Sequence, residues 1–232
     1  MKFKNVKIII PVLNEEKSIL KVINALPYEL QKNVIVVDNG STDGTLKLLK
    51  ENNVEFIKEP LKGYGRACMA GINYVKEKYP QTEIIAFLDG DYSDYPEEIE
   101  FLLEPIIKDN YDFVIGARKD KEFLTPQARF GNWLAVKLIK LFYNFEYSDL
   151  GPFRAIKFKK LLELNMKDRD FGWTVEMQIK AVKKGLKIKE VPVSYRKRIG
   201  KSKISGTIKG TILAGYKILF TIFRYACEGG WS

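Results

Sequence analysis

Unbroken apolar runs that stop at clusters of polar residues recur along the first half of the chain. Lys7-Ile8-Ile9-Ile10-Pro11-Val12 stops at Asn14-Glu15-Glu16, and Val34-Ile35-Val36-Val37 stops at Asp38-Asn39-Gly40-Ser41-Thr42-Asp43-Gly44. Ile84-Ile85-Ala86-Phe87-Leu88 stops at Asp89-Gly90-Asp91. Runs without polar alternation suit strands covered on both faces. They predict strands near Val6–Pro11, Val34–Val37, Val54–Ile57, Ile84–Leu88 and Phe113–Gly116, with a further strand over Ile188–Tyr195 in the same or a small accessory sheet. Helical patterns over Glu16–Ala25, Thr42–Asn52, Arg66–Lys78, Pro96–Lys108 and Thr174–Lys184 follow most of them. Ser41 or Thr42 is expected to cap the second helix, and Pro96 followed by Glu97 and Glu98 suits the first turn of the fourth. Strand–helix alternation of this kind predicts an α/β fold, with an open, mostly parallel sheet flanked by helices. In such sheets ligands bind beyond the carboxyl ends of the strands.

Two later segments read differently. As helices, Arg129–Asn144 and Thr207–Arg224 carry narrow cationic stripes in an apolar majority. At about 100° per residue, Arg129, Lys137 and Lys140 fall within about 80° of arc, and so do Lys209, Lys217 and Arg224. Lys137, Lys140 and Lys217 interrupt the apolar runs well short of the roughly 18 uncharged residues of a membrane span. Such helices either lie in the bilayer interface or pack on the core or in a homo-oligomer; their composition favours the interface.

With 232 residues and 46% hydrophobic content, the chain can bury one sizeable core, so residues 1–232 are expected to form a single domain. Within it, residues 1–118 are expected to form a ligand-binding half, 119–206 a second half and 207–232 an amphipathic terminal helix. There is no histidine, which excludes His-based acid/base chemistry and His-ligated zinc. Cys68 and Cys227 have no metal-ligand or disulfide pattern, which suits a reducing, cytosolic setting. The chain enters a strand almost at once, so no signal peptide is expected. A net charge of +10 calls for an anionic partner or serves solubility. Basic residues gather from Arg118 onward, and no zinc-finger or RNP-type pattern accompanies them, so a membrane surface or phosphorylated substrate is favoured over nucleic acid.

Asp89-Gly90-Asp91 carries the most specific chemistry. Strand spacing points both carboxylates to one face, and Gly90 lets backbone and ligand approach closely. Mg²⁺ or Mn²⁺ held by such a pair together with substrate phosphates is the expected arrangement. Asp38 at the end of its strand is suited to accept hydrogen bonds, though a turn Asp is an equal reading. Gly63 and Gly65 allow a tight loop, which is not a Walker A sequence.

Pro11-Val12-Leu13-Asn14-Glu15, Val37 through Gly44 and Asp89-Gly90-Asp91 together resemble the nucleotide-sugar site of family 2 glycosyltransferases, which have the GT-A fold. Gly116-Ala117-Arg118, Asp149 through Arg154 and Arg198 through Lys203 are most similar to the dolichyl-phosphate mannose and glucose synthase branch. The resemblance implies a nucleotide-sugar site built from Pro11, Leu13, Glu15, Asp38, Gly65, Asp89 and Gly90. It implies a metal held by Asp89 and Asp91, with Ser93 where the family commonly has Gln and Asp94 as a substitute third ligand. Asp91, Arg118, Asp149 and Glu176 are the implied catalytic residues, with Asp149 or Glu176 on the acceptor side. Arg118, Arg129, Arg198, Lys201 and Lys203 would bind the acceptor phosphate or diphosphate. The interval from Asp149 to Gly151 is shorter than is usual in that branch.

The expected activity is inverting, metal-dependent transfer of a sugar from a UDP- or GDP-linked donor to polyisoprenyl (dolichyl) phosphate, at the cytosolic face of an anionic membrane. Transfer to a sugar hydroxyl of a polysaccharide or glycolipid is the alternative, although the Gln-x-x-Arg-Trp motif of processive synthases is absent. A non-catalytic nucleotide- or membrane-binding module is less favoured, because Asp89, Asp91 and Arg118 are all present.

Overall fold

The structure, a computed structural model, describes residues 3–200 and 208–227, with side chains in the last segment described from 213. Seven strands form one sheet: β1 (Val6–Val12), β2 (Val34–Asp38), β3 (Phe56–Lys58), β4 (Ile84–Phe87), β5 (Phe113–Arg118), β6 (Arg154–Lys157) and β7 (Ile188–Val193). The helices are α1 (Ile19–Ala25), α2 (Tyr28–Gln31), α3 (Thr45–Glu51), α4 (Tyr64–Lys78), α5 (Ile99–Lys108), α6 (Pro126–Tyr143), α7 (Phe158–Leu164), α8 (Trp173–Lys183) and α9 (Ile208–Cys227). The strand order is β3-β2-β1-β4-β6-β5-β7. All neighbours pair in parallel except β6, which runs antiparallel to both β4 and β5. The sheet is therefore mixed, with a parallel majority. The expected accessory strand joins it as β7, in parallel register with β5.

Strand alternation divides the core into two layers. Ile9, Ile35, Val37, Ile85 and Phe87 pack on one face with residues of α4, α6, α8 and α9. Ile8, Ile10, Val34, Val36 and Ala86 pack on the other with residues of α1 and α5. The central strands β1, β2 and β4 are almost continuously apolar because both faces of the sheet are covered there. β1 lies between β2 and β4, so the chains leaving β1 and β2 diverge from those leaving β4, opening a crevice at their carboxyl ends.

Two local expectations change. Gly44, not Ser41 or Thr42, precedes α3 as its N-cap. Ser41 and Thr42 instead tie the β2 loop to the β1 loop: Asn14 N donates to Ser41 Oγ at 2.8 Å, and Thr42 N donates to Asn14 Oδ1 at 2.7 Å. Asn14 adopts φ 57°, a left-handed conformation that Asn tolerates better than most residues. The helix expected over Arg129–Asn144 begins earlier, at Pro126, where Thr125 Oγ1 accepts from Ala128 N at 3.2 Å and Pro supplies a preset φ.

α6 and α9 pack against each other, with Phe142 and Phe223 edge-to-face at 5.4 Å and Tyr143 Oη donating to Ile222 O at 2.6 Å. Their outer surfaces leave Phe130, Trp133, Leu141, Leu213, Tyr216 and Phe220 exposed. Lys137 and Lys140 are exposed, whereas Lys217 turns inward to Asp168 at 3.3 Å. The Lys209 side chain lies outside the described set. No helix among the described residues is long and apolar enough to cross a membrane.

Candidate active site

A cavity of about 310 Å³ opens at the carboxyl ends of β1, β2 and β4. Pro11, Leu13 and Glu15 line it from the β1 end, Asn39 from β2, and Asp89, Gly90 and Asp91 from β4. Lys62, Gly63 and Tyr64 at the start of α4, Asp170 and Phe171 before α8, and Arg198 after β7 complete the walls. Pro11 continues the side-chain phase of Ile9, Asn39 that of Val37, and Asp89 that of Phe87; all lie on the α4 side of the sheet.

The same phase corrects the assignment of Asp38. It follows Val34 and Val36 toward the opposite face, is buried, and does not line the cavity. Its carboxylate closes its own turn, accepting from Ser41 N at 3.2 Å and Gly40 N at 3.3 Å. Asn39, which the sequence reading passed over, faces the cavity instead. Its Nδ2 donates to Leu61 O and Glu59 O at 2.8 and 2.9 Å, and its Oδ1 accepts from Gly63 N at 2.8 Å. An aspartate could not make those two donations, so the amide specifies the course of the 59–63 loop.

That loop leads into α4, whose first turn is closed from a distance. Arg66 N donates to Arg169 O at 3.0 Å. Gly65 permits this approach: a Cβ there would lie 2.5 Å from Asp168 O and 2.8 Å from the Arg169 carbonyl carbon. Gly65→Ala is therefore expected to push back the wall carrying Asp170 and Phe171. We expect at least about a ten-fold loss of nucleotide affinity and about 1–3 kcal/mol of stability; calorimetry and urea unfolding would measure both.

Asp89 and Asp91 both line the cavity. Tyr64 Oη donates to Asp89 Oδ1 at 3.1 Å. Burial, and then the charge of Asp91, raises the Asp89 carboxyl to about 7. Asp91 Oδ1 accepts from Ser93 N and Ser93 Oγ at 2.9 and 2.6 Å, while Asp91 Oδ2 meets Arg198 Nη1 at 3.0 Å. Gly90 is packed tightly; a Cβ there would lie 2.7 Å from Val12 Cγ1. The donor set is hard oxygen, as Mg²⁺ or Mn²⁺ requires. No group of three or more Asp, Glu, Cys or His that could hold a metal occurs among the described residues. Two hard-oxygen carboxylates suit an ion that shares its shell with diphosphate oxygens and water.

The two expected third ligands sit in different settings. The buried Ser93 hydroxyl is turned onto Asp91, where it orients the carboxylate. Asp94 is buried with both carboxylate oxygens unpartnered, and burial followed by the charges of Asp89 and Asp91 pushes its carboxyl well up. It nevertheless completes no ligand cluster.

The acid/base expectations are also corrected. Asp149 is fully buried and grips Arg118 with both oxygens, Nε to Oδ2 at 2.7 Å and Nη2 to Oδ1 at 2.8 Å, while also accepting from Arg118 N at 3.0 Å. Burial alone would raise the Asp149 carboxyl, but the Arg118 bonds and charge hold it below its ordinary value. Glu176 is likewise buried, accepting from Lys167 N at 2.8 Å, Asp168 N at 2.7 Å and Tyr225 Oη at 2.6 Å, with Lys180 Nζ at 2.7 Å. Neither carboxylate lines the cavity. Arg118 lies outside its lining too, stacked near the Tyr195 ring at 5.2 Å. Arg129 is exposed on α6 and does not line the cavity. Arg198 does enter the cavity. Lys201 and Lys203 lie outside the described residues.

Tyr64, Asp170 and Phe171 are cavity residues that sequence reasoning missed. Tyr64 stood between the two noted glycines; Asp170 and Phe171 carried no local pattern at all.

A family model described as glycosyl transferase family 2 matches residues 7–163. An uncharacterized glycosyltransferase of Mycobacterium tuberculosis is 32% identical over 212 residues, covering 90% of this chain and 94% of that protein. The UDP-N-acetylglucosamine–dolichyl-phosphate N-acetylglucosaminyltransferase of Methanococcus voltae is 31% identical, covering 94% of this chain and 95% of that protein. Among solved structures, glucosyl-3-phosphoglycerate synthase from Mycobacterium tuberculosis in complex with Mn²⁺, UDP-glucose and phosphoglyceric acid superposes with a TM-score of 0.75 at 17% identity, over 98% of this chain and 81% of that one. That likeness shows the GT-A fold.

Proposed function

The chain belongs to glycosyltransferase family 2, and within that family we propose that it transfers one sugar from a nucleoside-diphosphate sugar to polyisoprenyl phosphate, with inversion. The observation carrying this reading is the convergence of Asp89 and Asp91 with Pro11, Leu13, Glu15 and Asn39 on one cavity. Mg²⁺ or Mn²⁺ held by Asp89 and Asp91 would neutralise charge on the departing diphosphate. Pro11, Leu13 and Asn39 form the walls for the nucleoside, and Tyr64 fixes Asp89 by its hydrogen bond. An acceptor phosphate oxygen attacks the anomeric carbon, the bond from that carbon to the diphosphate oxygen breaks, and the electron pair leaves on the nucleoside diphosphate. Positioning and charge stabilisation supply the catalysis.

A phosphate acceptor is already an anion near neutral pH and needs no general base. The engagement of Asp149 and Glu176 in buried ion pairs favours such an acceptor. The Methanococcus relative, named for dolichyl phosphate, supports the same class. One observation favours the hydroxyl alternative: Asp170 is a carboxylate on the cavity wall. Incubation with a panel of radiolabelled UDP- and GDP-sugars, with either polyisoprenyl phosphate or soluble sugars as acceptor, separates the two. Label extracted into organic solvent is expected; label only in soluble glycan would overturn the lipid assignment.

The exposed apolar face of α6 and α9 is proposed as the attachment to the cytosolic membrane surface, without crossing it. Phe130, Trp133, Tyr216 and Phe220 would enter the headgroup boundary, with Lys137 adding attraction to anionic lipid, since Lys140 is paired with Glu146 at 2.8 Å. Liposome flotation is expected to strengthen with anionic lipid and weaken in high salt, and Trp133→Ser with Phe220→Ser to reduce binding about ten-fold or more. Equal flotation of the double variant would remove this face from the binding surface.

A further inference from the structure

The cavity contains a cation of its own. Arg198 places Nη1 3.0 Å from Asp91 Oδ2 and Nη2 3.1 Å from Glu15 Oε1, bridging the ends of β4 and β1 with one planar guanidinium. Its backbone is fastened to the segment that follows β4. Ile199 N donates to Asp91 O and Arg196 N to Ser93 O, both at 2.9 Å. The Arg196 side chain donates from Nε to Tyr92 O at 2.8 Å and from Nη2 to Asp94 O at 3.0 Å. Its guanidinium also lies 3.4 Å from the Tyr92 ring centroid and 4.0 Å from that of Tyr95. Arg198 is thus delivered to Asp91 by a built strap, not by a free surface loop.

Asp91 has little carboxylate left to offer. Ser93 takes Oδ1 twice and Arg198 takes Oδ2. A bare divalent ion approaching Asp91 must displace the guanidinium or sit beside a like charge. An ion arriving with a diphosphate meets no such conflict, because a phosphate oxygen can accept from the Nη1 that Asp91 releases while Nη2 stays on Glu15. We infer that Arg198 makes the site discriminate against the free divalent ion and select the ion–diphosphate pair, by exchanging Asp91 for diphosphate oxygens. Ion and nucleotide then bind interdependently, each strengthening the other by the same factor. The inference rests on the proposed metal role of Asp91.

Mn²⁺ binding to the full chain, followed by electron paramagnetic resonance of the free ion, tests it with and without UDP or GDP. Wild type is expected to bind Mn²⁺ alone weakly, and much more tightly once the matching nucleoside diphosphate is present. Arg198→Gln should bind Mn²⁺ alone about ten-fold more tightly than wild type, and the enhancement by nucleoside diphosphate should shrink by about ten-fold or more. Arg198→Lys keeps the charge without the fork and should fall between the two. If Asp91→Asn binds Mn²⁺ as wild type does, the metal reading fails and this inference with it. If Asp91→Asn loses Mn²⁺ while neither Arg198 variant binds it more tightly than wild type, the metal reading stands and the selection role of Arg198 is overturned.

Discussion

Asp91→Asn is expected to lower turnover by about 10³-fold while leaving the fold intact, and excess chelator should abolish wild-type transfer. The magnitude follows from a metal contribution of several kcal/mol to stabilising the leaving diphosphate. The substitution is nearly isosteric, and the amide oxygen can still accept from Ser93, so the β4 loop keeps its shape. Circular dichroism should match wild type, and the loss should appear in kcat more than in thermal stability. Full turnover in chelator would remove the metal from the mechanism. A pH dependence accompanies this expectation. Burial and Asp91 raise the Asp89 carboxyl to about 7. A raised folded-state value means that protonation of Asp89 stabilises the fold at acid pH, and that this stabilisation is lost as pH rises through about 7. Divalent-ion binding requires the carboxylate, so Mn²⁺ affinity should rise across the same interval, and Asp89→Asn should abolish both effects.

Asp149→Ala is expected to destabilise the protein by about 3–5 kcal/mol, because it leaves the Arg118 guanidinium buried without its counter-charge. Asp149 side-chain exposure is 0% and that of Arg118 only 11%, so water cannot substitute readily. The Asp149 carboxyl is held below its ordinary value by Arg118, against the effect of burial. Its contribution is therefore fully present above the unfolded-state value and disappears as pH falls through the lower folded-state value. Urea unfolding at neutral pH, with Arg118→Met, Asp149→Leu and the double variant completing a cycle, measures the coupling. The double variant should be less destabilised than the sum of the singles. Additive effects, or a cost below about 1 kcal/mol for Asp149→Ala, would return Asp149 to candidacy as a reacting group.

The chain's local pattern fixes what must be buried, and this was enough to place β1, β2 and β4 and to set Asp89 and Asp91 at a strand end. Apolar runs such as Ile8-Ile9-Ile10 and Val34-Ile35-Val36-Val37 have no stable location except a strand covered on both faces. Glu15 was legible as a residue that follows such a run, whereas Pro11 and Leu13 were legible only through the resemblance of Pro11-Val12-Leu13-Asn14-Glu15 to the family's nucleotide-sugar site. Pairing among polar groups was not legible, because it depends on residues far apart in the chain. Asp38 and Asn39 are adjacent polar residues, and only the packing of Val37 against the α4 layer shows that Asn39 faces the cavity while Asp38 turns away. β6 is four residues long and carries the buried Arg154, so it had no strand signature; pairing with β4 and β5 creates it. Asp149 and Glu176 have the chemistry of general bases, and only the tertiary structure pairs them with Arg118 and Lys180. Asp170 and Phe171 reach the cavity because Gly65 admits the 168–170 backbone to the first turn of α4. Local periodicity encodes burial, whereas the direction and partner of a polar side chain are decided only when the layers close around it.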